Sequence, residues 1–414
     1  MEHKLNILIL LFFSISCSSQ CNEELKKFST GFDSLTSESF SFLDSELKDV
    51  RILGYGEDTH GTAEFTMLAK ELMDYVSKNH GFKILIIETG FGEGLYLNDY
   101  IQGKSDNLKL ILKEHNSTWR YKTTEFYELM NWLREYNKNN AEKISIYGCE
   151  MQYVISDVNK IKEYLKSVNS DYQVSGFEKH LWQEISNEEK LEYFTSYFNL
   201  KQLFIDNNEV FIKNSSQREF DLAYHNVVVL GQFATAINQN AEQRKHDFRD
   251  IYMGENIKWI MDFHGNNSKS LYWAHNSHVG DWVHNGIVDV TGHQLRKMYG
   301  QSYFNIATDF GFGEYVAFSR DWDLGIQKRD KINENTFTEC LKSYGGPNTF
   351  LNLRQAKKEQ SLKNYLSLPL TSMAGAGAQV RNSDTETELS GKAFDGIIYI
   401  NQTSKINWAD KNER

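Results

Sequence analysis

Proline is almost missing. Only Pro347 and Pro369 occur in 414 residues, so no proline-rich linker divides the chain. No block of lysine or arginine runs through it either, and the formal net charge is −11. That balance argues against a nucleic-acid partner, since nothing is present to neutralise a row of phosphates. Four cysteines occur, and Cys17 and Cys21 lie in or beside an N-terminal apolar segment. Cys149 and Cys340 remain, which predicts no disulfide framework. Beyond the N-terminus no stretch is apolar enough to span a membrane. Several catalytic signatures are also missing: no Gly-x-Ser-x-Gly elbow, no His-Glu-x-x-His, no paired Cys-x-x-Cys and no Gly-x-x-x-x-Gly-Lys loop. A serine nucleophile of the α/β-hydrolase kind is therefore unsupported.

The residues present are 40% hydrophobic and 14% aromatic, ample for a large core. Lys4 precedes an apolar run over 5–15, which has the length of a signal-peptide core and is too short to cross a bilayer. Ser14-Ile15-Ser16-Cys17 resembles a degenerate bacterial lipobox. Residues 1–16 are thus expected to be a lipoprotein signal peptide. A lipid on Cys17 would then hold the chain on a bacterial membrane, facing the periplasm or the exterior. Simple secretion, with cleavage near Ser19 or Gln20, is the alternative.

Residues 17–49 are polar and predict a tether with a first helix over 40–47. Apolar runs at 50–54, 83–87, 143–147, 270–274, 302–307 and 394–400 read as strands, and the run at 83–87 lacks alternation, as a strand buried on both faces does. Helical periodicity separates them, at 63–79 and 126–137 for example. From 156 to 265 the pattern is almost wholly helical, which predicts an α-helical insertion. The fold class expected is α/β: a mainly parallel sheet flanked by helices, over 50–402, with a short tail at 403–414.

Parallel strands point their carboxyl ends at one edge, where sites form. The polar residues just past the runs are Glu57 and His60, Glu88, Glu150, His275 and His278, and Asp309. Each has a plainer role available. A glutamate after a strand often caps the next helix, as Glu150 and even His60 could, and Asn276 and Ser277 suit a turn. Cys149 reads as a small buried residue. Joint occurrence is what marks a cleft lined by histidines and carboxylates. Gly56 and Gly61 are expected to free the backbone for a sharp turn between Glu57 and His60. Such a cluster suits general-base activation of water. It would equally suit a metal held by His60, His275 or His278 with Glu57 or Glu88.

The stretch Gly56-Glu57-Asp58-Thr59-His60-Gly61-Thr62, followed by Glu64-Phe65, resembles the opening signature of the erythromycin esterase family. Further matches follow in the family's order. They are Ile87-Glu88-Thr89, Trp132-Leu133-Arg134-Glu135-Tyr136-Asn137, 148–152, Arg249-Asp250-x-x-Met253-Gly254-Glu255-Asn256, Trp273-Ala274-His275-Asn276-x-His278-Val279 and Ala393-Phe394-Asp395-Gly396. Ala63 departs from the pattern, since members often carry arginine there. The resemblance implies a parallel α/β core with a helical insertion. It also implies hydrolysis of a small-molecule ester or lactone, with no cofactor, no metal and no covalent serine intermediate. His60 would activate water, and Glu57 and Glu88 would orient it. His275 and His278 would polarise the carbonyl or protonate the leaving alkoxide. Arg249 and Asp250 would contact substrate or form a bracing ion pair, and Trp119 and Tyr121, in the loop 113–124, would line the cleft. An esterase of open substrate range is preferred to a macrolide-resistance enzyme, because export does not suit inactivation of a drug inside the cell. A haem-binding module with a related fold, using the same histidines as ligands, and a metal-dependent hydrolase are the competing readings.

Overall fold

A computed structural model describes residues 21–115, 118–239, 242–284, 288–368, 370–372, 377–380, 387–388 and 391–409. The expected signal peptide and Cys17 lie outside the described residues. The nine strands of the main sheet are β1 (Ser29–Phe32), β2 (Ile52–Glu57), β3 (Ile84–Gly90), β4 (Ser145–Glu150), β5 (Ser270–His275), β6 (Tyr303–Phe318), β7 (Leu324–Arg329), β8 (Asn348–Asn352) and β9 (Gly396–Thr403). Their order is β1-β8-β9-β6-β2-β5-β3-β4, with β7 folded back on β6. The six strands from β9 to β4 run parallel, and β1, β8 and β7 pair antiparallel.

The apolar runs lack alternation because both sheet faces are covered. Leu53, Tyr55, Leu85 and Ile87 enter one core, whereas Ile52, Ile84 and Ile86 enter the other. The first core is completed by α1 (Ala63–Asn79) and α3 (Thr124–Asn139). On α1, Phe65, Leu68, Leu72 and Val76 form one buried face, and the helix stops before Gly81, whose φ is +73°. The second core lies under α2 (Phe91–Ile101), α4 (Ile155–Ser167), α5 (Asn187–Asp206), α6 (Asn208–Asn214), α7 (Gln217–Ile237) and α8 (Glu242–His264). Among the described residues between β4 and β5 there is no strand.

Three expectations need correction. Residues 22–49 are not a tether. They carry a 3-10 turn over Glu23–Phe28, the edge strand β1 and a 3-10 turn before the short helix Asp44–Leu47, because Leu25, Phe40 and Leu43 are fully buried. The tail is not free from 403, since β9 ends there and Ile406 is buried. A disulfide does exist, joining Cys21 to Cys340 on α10 (Phe337–Gly345). The sequence hid it because 319 positions separate the partners and one lies beside the apolar leader.

Candidate active site

Four adjacent strands deliver side chains from their carboxyl ends to one edge: Glu57 from β2, His275 from β5, Glu88 from β3 and Glu150 from β4. Glu88 is aimed by a bulge. Ile87 lies opposite Gly148 and Gly90 opposite Glu150, so β3 spends one residue more than β4 over the same span. Gly56 and Gly61 do not supply a turn through positive φ. Both are close approaches, Gly56 against Asn276 and Gly61 under the Val316 backbone, where a Cβ would collide.

His60 Nδ1 lies 2.5 Å from Glu57 Oε1, and Trp273 Nε1 donates to Glu57 Oε2 at 2.8 Å. Of the neighbours of Nδ1, Glu57 Oε1 accepts and Arg120 Nη1 can only donate; with the nearer Glu57 taking the Nδ1 proton, neutral His60 keeps its lone pair on Nε2, 3.4 Å from the same Arg120 Nη1. Arg120 follows Trp119 in the loop before α3. Its Nη1 sits 2.8 Å from His60 Nδ1 and 3.2 Å from both Glu57 Oε1 and Glu88 Oε2, and its Nη2 donates to the Glu88 carbonyl.

A second arginine, Arg249 on α8, holds the other side. It donates from Nε to Glu150 Oε2 at 3.1 Å and from Nη2 to Glu88 Oε1 at 2.6 Å, and also reaches Glu150 Oε1. The remaining oxygen of Glu88 takes the His275 backbone N–H at 2.8 Å. Burial alone would raise the pKa of Glu88, but Arg120, His278, Arg249 and His60 together hold it well below the usual carboxylate range.

His278 follows β5 on the short helix α9 (Asn276–Val279). Its Nδ1 lies 2.8 Å from Asp250 Oδ1, and its Nε2 is 2.8 Å from Arg249 Nη1. Burial pushes His278 down, yet Asp250 and Glu88 outweigh burial and Arg249, so its pKa is raised. Asp250 is in turn fixed by the Thr291 N–H and hydroxyl. His275 has both ring nitrogens engaged. Its Nδ1 accepts from the Ser277 N–H at 3.2 Å, and its Nε2 lies 3.1 Å from the Asp58 carbonyl oxygen. It braces the ends of β2 and β5, and Gly377 packs against its ring.

His60, Glu57, Glu88, His278, Arg249 and Asp250 are thus brought into one network, with His275 as its brace. Glu150, which could have been a helix cap, is instead the fully buried partner of Arg249. Tyr121 is buried, and its hydroxyl bonds Arg120. Trp119 is half-buried against Phe318 and Trp408. Asp309 does not join the histidines. It is buried with Thr338, 2.6 Å away, and Arg329. Burial keeps the Cys149 thiol protonated by raising its pKa well above the ordinary value. Sequence reading missed Arg120. The available signal was charge: three buried glutamates in one cleft require cations. Among the described residues no three His, Cys, Asp or Glu side chains form a metal-binding group. Two surface cavities, of about 320 Å³ near Ile185 and Lys245 and about 410 Å³ near Phe312 and Arg329, lie away from the network.

The family model for erythromycin esterase matches residues 77–403. The chain belongs to the erythromycin esterase family. It is 22% identical to the type II erythromycin esterase of Escherichia coli over 410 aligned positions, covering 89% of this chain and 93% of that one. A solved protein of Bacillus cereus superposes with a TM-score of 0.80 at 25% identity, over 94% of this chain and 98% of its own. A solved erythromycin esterase mutant in its open conformation superposes at 0.66 with 16% identity, over 92% and 99%, and shows the shared fold. Family membership supports a hydrolase of the esterase class acting on a small molecule.

Proposed function

We propose that the chain hydrolyses a carboxylic ester or lactone with water activated by His60. The observation that carries this reading is the contact of His60 Nδ1 with buried Glu57, beside Arg120. With its Nδ1 proton directed at Glu57, the ring offers Nε2 to water. Water gives a proton to Nε2 as its oxygen bonds the carbonyl carbon, and the carbonyl electron pair moves to oxygen. The tetrahedral intermediate then collapses, the C–O ester bond breaks, and the leaving alkoxide takes the proton back from the imidazolium. A lactone would open to a hydroxy acid. Arg120 supplies fixed positive charge next to this chemistry, in surroundings where burial strengthens it. Glu88 sets the spacing of the two arginines, and His278, held between Asp250 and Arg249, is the second imidazole at the same edge. Two guanidinium groups already occupy the places between histidines and carboxylates where a cation would bind. This favours a histidine acting as base over one acting as metal ligand.

We also propose export, with Cys17 as the lipidated residue. The Cys21–Cys340 disulfide supports an oxidising compartment.

The test is turnover of a panel of aryl esters and macrolactones by the wild type and by His60→Asn. Loss of the base should lower kcat by about 10²–10⁴-fold. Full activity in His60→Asn would overturn the assignment of the base, and wild-type protein inert towards every ester would overturn the reaction.

A further inference from the structure

Helix α5 is apolar on two sides. Its inner face, Tyr193, Ser196, Leu200 and Phe204, is buried in the helical layer beside α7. Its outer face leaves Leu191, Phe194, Phe198 and Ile205 exposed, at 69%, 39%, 49% and 48%. Exposed Val210 continues the strip on α6. The outer positions are spaced by three, four and seven residues, the seam of a coiled coil, with Lys201 at the one position where an apolar residue is missing. Phe194, Tyr197 and Phe198 already pack against one another, with ring centroids 4.8 Å apart for Phe194–Phe198 and 5.2 Å for Tyr197–Phe198. Together these side chains expose on the order of 500 Å² of apolar surface, the size of the largest apolar patch on a typical monomer, which is often a functional one.

We propose that the chain forms a homodimer by antiparallel packing of α5 against the same helix of a second copy, centred on Phe198. The match of the two helix ends about that residue favours this partner, although Phe194 then faces Gln202. Seven steps before Phe198 is Leu191 and seven after is Ile205, so the two apolar ends meet each other. Eight steps before is Lys190 and eight after is Asp206, so each end of the seam closes with opposite charges. A parallel pairing would instead place Glu188 and Glu192 against their own copies. The 20 residues of α5 give a seam about 30 Å long. With its polar rim, that length is enough for the roughly 800 Å² per partner that stable pairs bury.

A lipid surface is a poorer occupant. Helices α5 and α6 carry Glu188, Glu189, Glu192, Asp206 and Glu209 against Lys190, Lys201 and Lys213, a balance that an anionic leaflet repels. The described residues begin at Cys21 beside α10 and the β1–β8 edge, whereas α5 belongs to the helical layer that packs on β4.

The test is sedimentation velocity on the mature full-length chain across about 1–100 μM, with wild type, Phe198→Asp, Lys190→Asp and the pair Lys190→Asp/Asp206→Lys. A dimer is expected for wild type. Phe198→Asp should raise the dissociation constant by about 30-fold or more, with unchanged circular dichroism and ester turnover. Lys190→Asp should weaken the dimer, and adding Asp206→Lys should restore it, which fixes the antiparallel register even if Phe198→Asp folds poorly. A wild type that stays monomeric at 100 μM, including one that instead binds anionic vesicles, overturns the proposal. So does a dimer indifferent to all these substitutions.

Discussion

Arg249→Met removes a cation from between two buried carboxylates while nearly keeping side-chain volume. Glu150 has no exposed surface and takes two contacts from this one guanidinium, Nε on Oε2 and Nη2 on Oε1. Glu88 keeps Arg120 and the His275 N–H but loses its 2.6 Å partner. Breaking a buried ion pair by deleting one side costs about 3–5 kcal/mol, because the surviving charge is left in a poor solvent. Urea unfolding followed by tryptophan fluorescence, with eight reporters in the chain, reads this directly at pH 7.5. Arg249→Lys, which keeps the charge and loses the fork, should fall between the two. The pH dependence gives a second check. In the wild type the depressed pKa of Glu88 means its stabilisation is fully present above the ordinary carboxylate value, about 4.5, and is lost as pH falls through the lowered folded value. In the variant the bared carboxylates bind protons more readily when folded, so the penalty is complete at high pH and shrinks on acidification. The gap between the two proteins should therefore narrow from pH 8 to pH 5. A loss under about 1 kcal/mol at pH 7.5, or a gap that stays constant with pH, would refute the claim that Arg249 neutralises these acids.

Two further outcomes follow from other parts of the fold. Cys340→Ser should cost about 2–5 kcal/mol, towards the upper end because the closed loop spans 319 positions, and a reducing agent should lower the wild-type melting temperature while leaving the variant's unchanged. Trp273→Phe deletes the N–H that holds Glu57 Oε2 and should lower kcat about 10-fold with little change in KM; a change confined to KM would mean that Trp273 acts on substrate instead.

The parts of this fold that were legible in the sequence are those dictated by burial on both faces. The runs leading to Glu57, Glu88, Glu150 and His275 are mostly apolar, and every position in them but Ser145 is buried, which a half-exposed strand would not show. What stayed hidden depends on partners distant in the chain. Strand β1 is four residues long with one buried position, and only pairing with β8 makes it a strand. Arg120 sits in a single 3-10 turn, Trp119–Tyr121, too short to show a period, and the acids that bury it lie 63 and 32 positions away. Gly56 and Gly61 looked like turn residues because glycine's usual signal is conformational. Here the constraint is steric, imposed by Asn276 and Val316.

Strand β5 sits between β2 and β3, although more than a hundred residues follow β3 before it is made. During synthesis β2 and β3 therefore exist with open hydrogen-bonding edges, and the N–H of His275 that anchors Glu88 does not yet exist. Insertion of this strand joins β2 to β3 and brings the His275 N–H to Glu88, while the other edge of β2 waits for β6. A nascent or partly unfolded chain is then both inactive and sticky, with edges that invite pairing to other chains. Catalytic competence in this protein is accordingly a readout of finished folding, and damage that frees β5 should abolish turnover before the flanking helices are lost.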